Sequence, residues 1–138
     1  MAQGPSRQSV FLEAAPFLLV DDVVKSGAYW RDVLGFNLGR YFGNPPGFVI
    51  MQRNTARVML RQAPAEARPA AVTNTSKMPE ALDLYICVSD VAALAAELKT
   101  RGANIVNPPE LEDGRREMLV RDCNGYLICF GEVEGWPY

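Results

Sequence analysis

The sequence predicts an α+β fold in which one βαβββ module occurs twice. Three observations lead there: two segments repeat each other, each repeat carries a helix with readable ends, and each helix is followed by three strand-like runs. The repeat is visible in "FLLVDDVVKSGAYWRDVLGFNL" and "LYICVSDVAALAAELKTRGANIV". Both begin with an apolar run, pass through V-x-D-V into a helical stretch, and reach a glycine before a second apolar stretch. Asp22 and Gly35 of the first copy correspond to Asp90 and Gly102 of the second.

The opening strands are the apolar runs that end at Val20 and Val88. Asp22 and Asp90 then suit helix N-caps, because a carboxylate accepts the unpaired backbone N–H groups of a first turn. Val91, Leu94 and Leu98 fall on one helical face, as do Val23, Trp30, Val33 and Leu34. Trp30 is expected in the core on that spacing. Gly35 and Gly102 stand where a chain leaving a helix needs a left-handed residue. The following strands are predicted at Phe36–Phe42, Phe48–Arg53 and Ala56–Arg61, then at Ala103–Val106, Glu117–Arg121 and Tyr126–Phe130. Arg115 and Arg116 are expected in a solvated hairpin. The organisation is an N-terminal extension at 1–13, a first module at 14–62, a linker at 63–81 rich in Ala and Pro, a second module at 82–133 and a tail at 134–138.

Composition narrows the function. The 138 residues carry a formal charge of −2, and basic residues never cluster beyond two in a row, which argues against nucleic acid as a partner. The longest apolar run, Ala14–Val20, is far short of the roughly 20 residues that span a bilayer. The first ten residues lack the apolar stretch of a secretory signal, and the cysteines at 87, 123 and 129 form no CxxC pair. A cytoplasmic protein with free thiols is therefore expected. The chain has no histidine, so the commonest metal ligand and the commonest general base are both missing.

The residues "VDDVVKSGAYWRDVLGF", with "LYICVSDVAALAAELKTRGA" and "GRREMLVRDCNGYLICFGE", resemble the vicinal oxygen chelate superfamily of glyoxalases, extradiol dioxygenases and bleomycin-resistance proteins. The resemblance runs from about Ala14 to Glu132. It implies curved mixed sheets around a concave cavity, with helices on the outer face. It also implies a homodimer, possibly with exchanged modules. Enzymes of the superfamily hold a metal with His and Glu side chains, and the resemblance places those positions at Ala15, Met59, Asp83 and Cys129. Ala offers no donor and Met is a soft thioether, so no metal and no cofactor is expected.

Strand alternation supplies a separate reading of the cavity. Leu18, Val20, Val58, Leu60, Leu84, Ile86, Val88, Tyr126, Ile128 and Phe130 share the faces expected to pack on the helices. The opposite faces carry Ala15, Phe17 and Leu19; Arg57, Met59 and Arg61; Asp83, Tyr85 and Cys87; Leu127 and Cys129. A few polar groups in an apolar lining suit a small-molecule site. The expected ligand-binding residues are Phe17, Leu19, Arg57, Met59, Arg61, Asp83, Tyr85 and Cys129, with Tyr41 and Phe48 as aromatic walls. Phe42, Trp136 and Tyr138 are further aromatic candidates. Arg57 and Arg61 alternatively face solvent, and Asp83 alternatively makes a structural bond. Cys129 is expected to be a small buried side chain rather than a nucleophile, because no histidine exists to activate it.

The function expected from these residues is metal-free binding or sequestration of a small, partly aromatic molecule in a dimer cavity. The alternatives are a lyase, isomerase or dioxygenase with an unusual metal set or an Asp83–Tyr85 acid–base pair, and an interaction module whose dimer is its function.

Overall fold

The computed structural model describes residues 7–112 and 114–133. The first module is β1 (Phe17–Val20), α1 (Val23–Asp32), β2 (Asn37–Leu38), β3 (Phe48–Arg53) and β4 (Ala56–Gln62). The second is β5 (Leu84–Cys87), α2 (Val91–Arg101), β6 (Asn104–Glu112), β7 (Arg115–Arg121) and β8 (Leu127–Val133). Each module makes one four-stranded mixed sheet, ordered β1-β4-β3-β2 and β5-β8-β7-β6. The opening strand pairs in parallel with the last strand of its own module. The other neighbours pair antiparallel.

The helix ends follow from the residues at them. Asp22 accepts from the backbone N–H of Val24 and Lys25, and Asp90 from that of Ala93. Gly102 closes α2 at φ 84°, and Gly35 follows α1 at φ 75°. Both angles are accessible to glycine without steric cost.

One apolar core runs through both modules. Leu18, Val20, Val58 and Leu60 join Trp30 and Leu34 in it, and Leu84, Val120, Ile128 and Phe130 join Val91 and Leu98. The opposite sheet faces, reached by the alternate residues, lie outside this cluster.

Two polar seams join the modules. At the first, the buried Asp122 lies in the turn between β7 and β8. One oxygen accepts the backbone N–H of Asn124 at 2.9 Å and of Tyr126 at 2.8 Å. The other accepts Trp30 Nε1 from α1 at 3.2 Å and Asn124 Nδ2 at 3.3 Å. Tyr126 donates its hydroxyl to the Leu19 carbonyl at 2.6 Å, and Tyr29 donates to the Arg121 carbonyl at 3.3 Å. Burial raises the Asp122 pKa, and its hydrogen-bond donors hold back part of that rise. At the second seam, Arg53 at the end of β3 forks onto Glu97 of α2 at 2.8 and 2.7 Å. The same guanidinium donates to the Leu34 carbonyl at 3.0 Å. Arg101 joins Glu97 at 2.9 Å and donates to the Asp32 carbonyl at 3.1 Å.

Several elements differ from the sequence expectation. β6 continues past Val106 through Pro108 and Pro109 to Glu112. It is an edge strand with register shifts at Ile105/Asn107 and Asn107/Glu110, and an edge tolerates residues that cannot donate. Arg115 and Arg116 do mark a hairpin, that of β6 and β7, where they pair with Glu112 and Leu111 as the first residues of β7. β2 has two residues instead of the run Phe36–Phe42, with an isolated bridge from Phe42 to Phe48 beyond it. The chain at Gly39 passes so close to β3 that a Cβ there would lie 2.9 Å from the Ile50 carbonyl oxygen. Segment 63–81 holds the short 3-10 turns Ala65–Ala67 and Asn74–Ser76 and is tied down at several points. Ala70 donates to Asp21 at 2.7 Å, and Arg68 donates twice to the Ala63 carbonyl.

Two outcomes are expected for the seams. Asp122→Ala leaves two backbone N–H groups and an indole N–H unpaired, and should cost about 3 kcal/mol in urea unfolding. A loss below about 1 kcal/mol would show that the seam is dispensable. For Glu97, the Arg53 hydrogen bond and then the Arg101 pairing lower its pKa below the unfolded value, outweighing desolvation. Its stabilisation is therefore complete above the unfolded pKa of about 4.3 and is lost as pH falls through the lower folded value. With both side chains about a third exposed, Glu97→Gln should cost about 1 kcal/mol at neutral pH and nothing in strong acid.

Candidate functional site

The concave face of the first sheet is largely uncovered. Phe17 is 56% exposed and Leu19 43%, while Leu18 and Val20 between them are buried. Strand register places Met59 beside Phe17, Arg61 beside Leu19, Ile50 beside Met59 and Phe48 beside Arg61. Phe17 stacks on Phe48 with centroids 5.9 Å apart, and Phe42 tilts against Phe48 at 5.8 Å. The Arg40 guanidinium lies 4.6 Å from the Phe42 ring centre. These residues make an aromatic ladder across β1, β3 and the loop before β3. A groove of about 560 Å³ opens at one end, with Leu19, Pro46, Arg61 and Arg68 among its lining residues. Arg57 lies at the other end, where it bonds to Glu13 at 3.0 Å and Gln52 at 3.3 Å.

The concave face of the second sheet is more closed. Tyr85 of β5 is in register with Cys129 of β8, which faces Leu119 of β7. One step along, Cys87 aligns with Gly131 and Gly131 with Glu117. The Tyr85 ring leans over Gly131, where a Cβ would collide with its hydroxyl. That hydroxyl is buried and makes no hydrogen bond among the described residues. Its pKa is raised by burial first and by Glu117 second. Cys129 is buried, and burial with the neighbouring Glu117 pushes its thiol up to about 12. A thiol so placed is protonated at neutral pH and is not a nucleophile.

Phe17, Leu19, Phe48, Met59 and Arg61 thus meet on one face, and Tyr85 and Cys129 meet on the other. Asp83 and Arg57 follow their alternative readings, and Tyr41 is placed differently. Asp83 accepts the backbone N–H of Asn74 at 2.7 Å with one oxygen and that of Leu127 at 2.8 Å with the other. It fastens segment 63–81 to the sheet and is not a free carboxylate. Tyr41 lies on the helix side, its hydroxyl over Gly27 of α1, because the chain bends away from β3 after Gly39. Arg57 spends its charge on Glu13. Trp136 and Tyr138 lie outside the described residues. Ile50, Arg40 and Glu117 were not singled out by sequence. Glu117 could have been found by continuing the alternation into β7, where Arg115, Glu117, Leu119 and Arg121 share a face.

The four positions of the superfamily metal do not fit a metal. Ala15 has no donor, both Asp83 oxygens hold backbone amides, and Cys129 is a neutral buried thiol. Among the described residues, no three Cys, Asp or Glu side chains converge as metal ligands. No helix there is long and apolar enough to cross a membrane.

Two βαβββ modules, each a four-stranded mixed sheet with one helix, define the class of fold. Residues 12–130 match the model of the Glyoxalase/Bleomycin resistance protein/Dioxygenase superfamily, and the chain belongs to that superfamily. Its fold is similar to that of TioX from Micromonospora sp. ML1, with a TM-score of 0.69 at 23% identity over 88% of this chain and 98% of TioX. It is also similar to the bleomycin-binding protein from bleomycin-producing Streptomyces verticillus, solved with copper(II)-bleomycin. That likeness has a TM-score of 0.68 at 24% identity, over 91% of this chain and 98% of the other. A third likeness is to TnmS3, an antibiotic binding protein from Streptomyces sp. CB03234, at TM-score 0.68 and 18% identity over 92% and 99% of the two chains. No curated protein sequence matches the chain.

The state of Cys129 is directly measurable. At pH 8, iodoacetamide should label the exposed Cys87 while Cys129 reacts only on global unfolding. Peptide mapping that found Cys129 alkylated as fast as Cys87 would contradict a neutral, shielded thiol.

Proposed function

We infer that the protein binds and sequesters a small, partly aromatic molecule, without a metal, in cavities completed by a second copy of the chain. The uncovered aromatic ladder Phe17–Phe48–Phe42 carries this reading. Stacked rings half open to water give area and shape to a planar ligand and are costly to leave exposed. The edge strands β1 and β5 and the uncovered first face are surfaces that a partner copy would cover. The donor chemistry at Ala15, Asp83 and Cys129 supports binding without metal. Family membership and the small molecules named for similar structures, bleomycin among them, support the ligand class. Three cysteines without a disulfide suit a reducing, cytoplasmic location.

Sedimentation velocity should show a dimer at micromolar concentration, and elemental analysis no stoichiometric divalent metal. Acridone, a neutral planar aromatic, should bind saturably, and Phe48→Ala should weaken it about three- to tenfold. A monomer, or the absence of saturable acridone binding, would overturn the reading.

A further inference from the structure

Resting on that reading, we propose that Glu117, held beside the Tyr85 hydroxyl over Gly131, makes the second sheet select ligands carrying a cationic nitrogen: a protonated amine, a guanidinium or a positively charged aromatic heterocycle. Three observations converge. Glu117 is only partly buried, on the face of β7 that it shares with Leu119. It forms no ion pair among the described residues, whereas other acids facing basic groups do: Glu13 with Arg57, and Glu97 with Arg53 and Arg101. Its neighbours Tyr85 and Cys129 both have pKa values raised by burial and by Glu117 itself, so they remain neutral and cannot cancel its charge.

Two basic residues share that strand face, and neither forms an ion pair with Glu117. Arg121 donates to the Gly125 carbonyl at 2.8 Å. Arg115 stands exposed at the start of β7, one step from Glu117 on that face. A partly buried carboxylate that lies beside the neutral Tyr85 and Cys129, and makes no ion pair with the nearby Arg115, still favours a positive charge. Tyr85 is the positioning residue. Its hydroxyl is buried without a partner, an arrangement that costs free energy unless a small rotation lets it donate to Glu117. Gly131 is the condition for this, because any side chain there would displace the phenol from Glu117.

The test uses three probes of one shape on the full-length protein: proflavine as the cation, acridone as the neutral ring and acridine-9-carboxylate as the anion. Proflavine should bind at least about tenfold tighter than acridone, the weight of one charge-assisted hydrogen bond. Glu117→Gln should abolish that preference, bringing the affinity for proflavine down to that for acridone, with a thermal melt that shows the fold intact. Tyr85→Phe, which keeps the ring over Gly131, should reduce the preference without removing it. Equal binding of all three probes, tighter binding of the anion, or a cation preference that survives Glu117→Gln would overturn the assignment while leaving the cavity intact. Binding of none of the three would instead overturn the cavity reading, and this inference with it.

Discussion

A single buried carboxylate ties the molecule together. Asp122 shapes its own turn through the N–H groups of Asn124 and Tyr126 and reaches across to the indole of Trp30. The turn between β7 and β8 and α1 of the other module are thus joined through one side chain. Tyr126, fixed by the same turn, completes the clasp on the Leu19 carbonyl. A charge in a buried place is tolerable only with this many donors. The fork from Arg53 to Glu97 fastens the opposite seam, between the β3–β4 end and α2. With both seams closed, the core faces of the two sheets and the helices share one apolar interior. The alternate faces are left to whatever binds them.

Those two faces have different characters, and the difference bears on function. The first is aromatic, open and rimmed by arginine. The second is small, largely covered and organised around Tyr85, Glu117 and Cys129. Facing each other across two copies, they would give a planar molecule a stacking surface on one side and a single polar contact on the other. That division of labour between area and orientation is what a small-molecule cavity needs. It requires no metal and no nucleophile.

Much of this was legible in the sequence because it is local. The caps Asp22 and Asp90, the glycines at 35 and 102 and the alternation Phe17–Val20 depend on residues within a few positions, and the structure shows each of them. What was not legible depends on contacts distant along the chain. Asp83 belongs to the expected strand face, but its oxygens answer to Asn74 and Leu127. Tyr41 has the right residue type for a cavity wall, yet the close approach at Gly39 turns it to the helix side. Glu117 gains meaning only from register, which sets Gly131 beside it and Tyr85 across. Strand register within a sheet is not written in any short stretch.

In the proposed dimer, the aromatic face of one chain would look onto the Tyr85–Glu117 face of a second. Disulfide trapping tests it most directly. In a Cys87→Ser, Cys123→Ser background, Phe48→Cys on the first face and Leu119→Cys on the second would be oxidised and run on a non-reducing gel. A covalent dimer should form only when both substitutions are present, and saturating acridone should block it. A cross-link confined to one chain, or dimers formed equally well with either substitution alone, would contradict this arrangement.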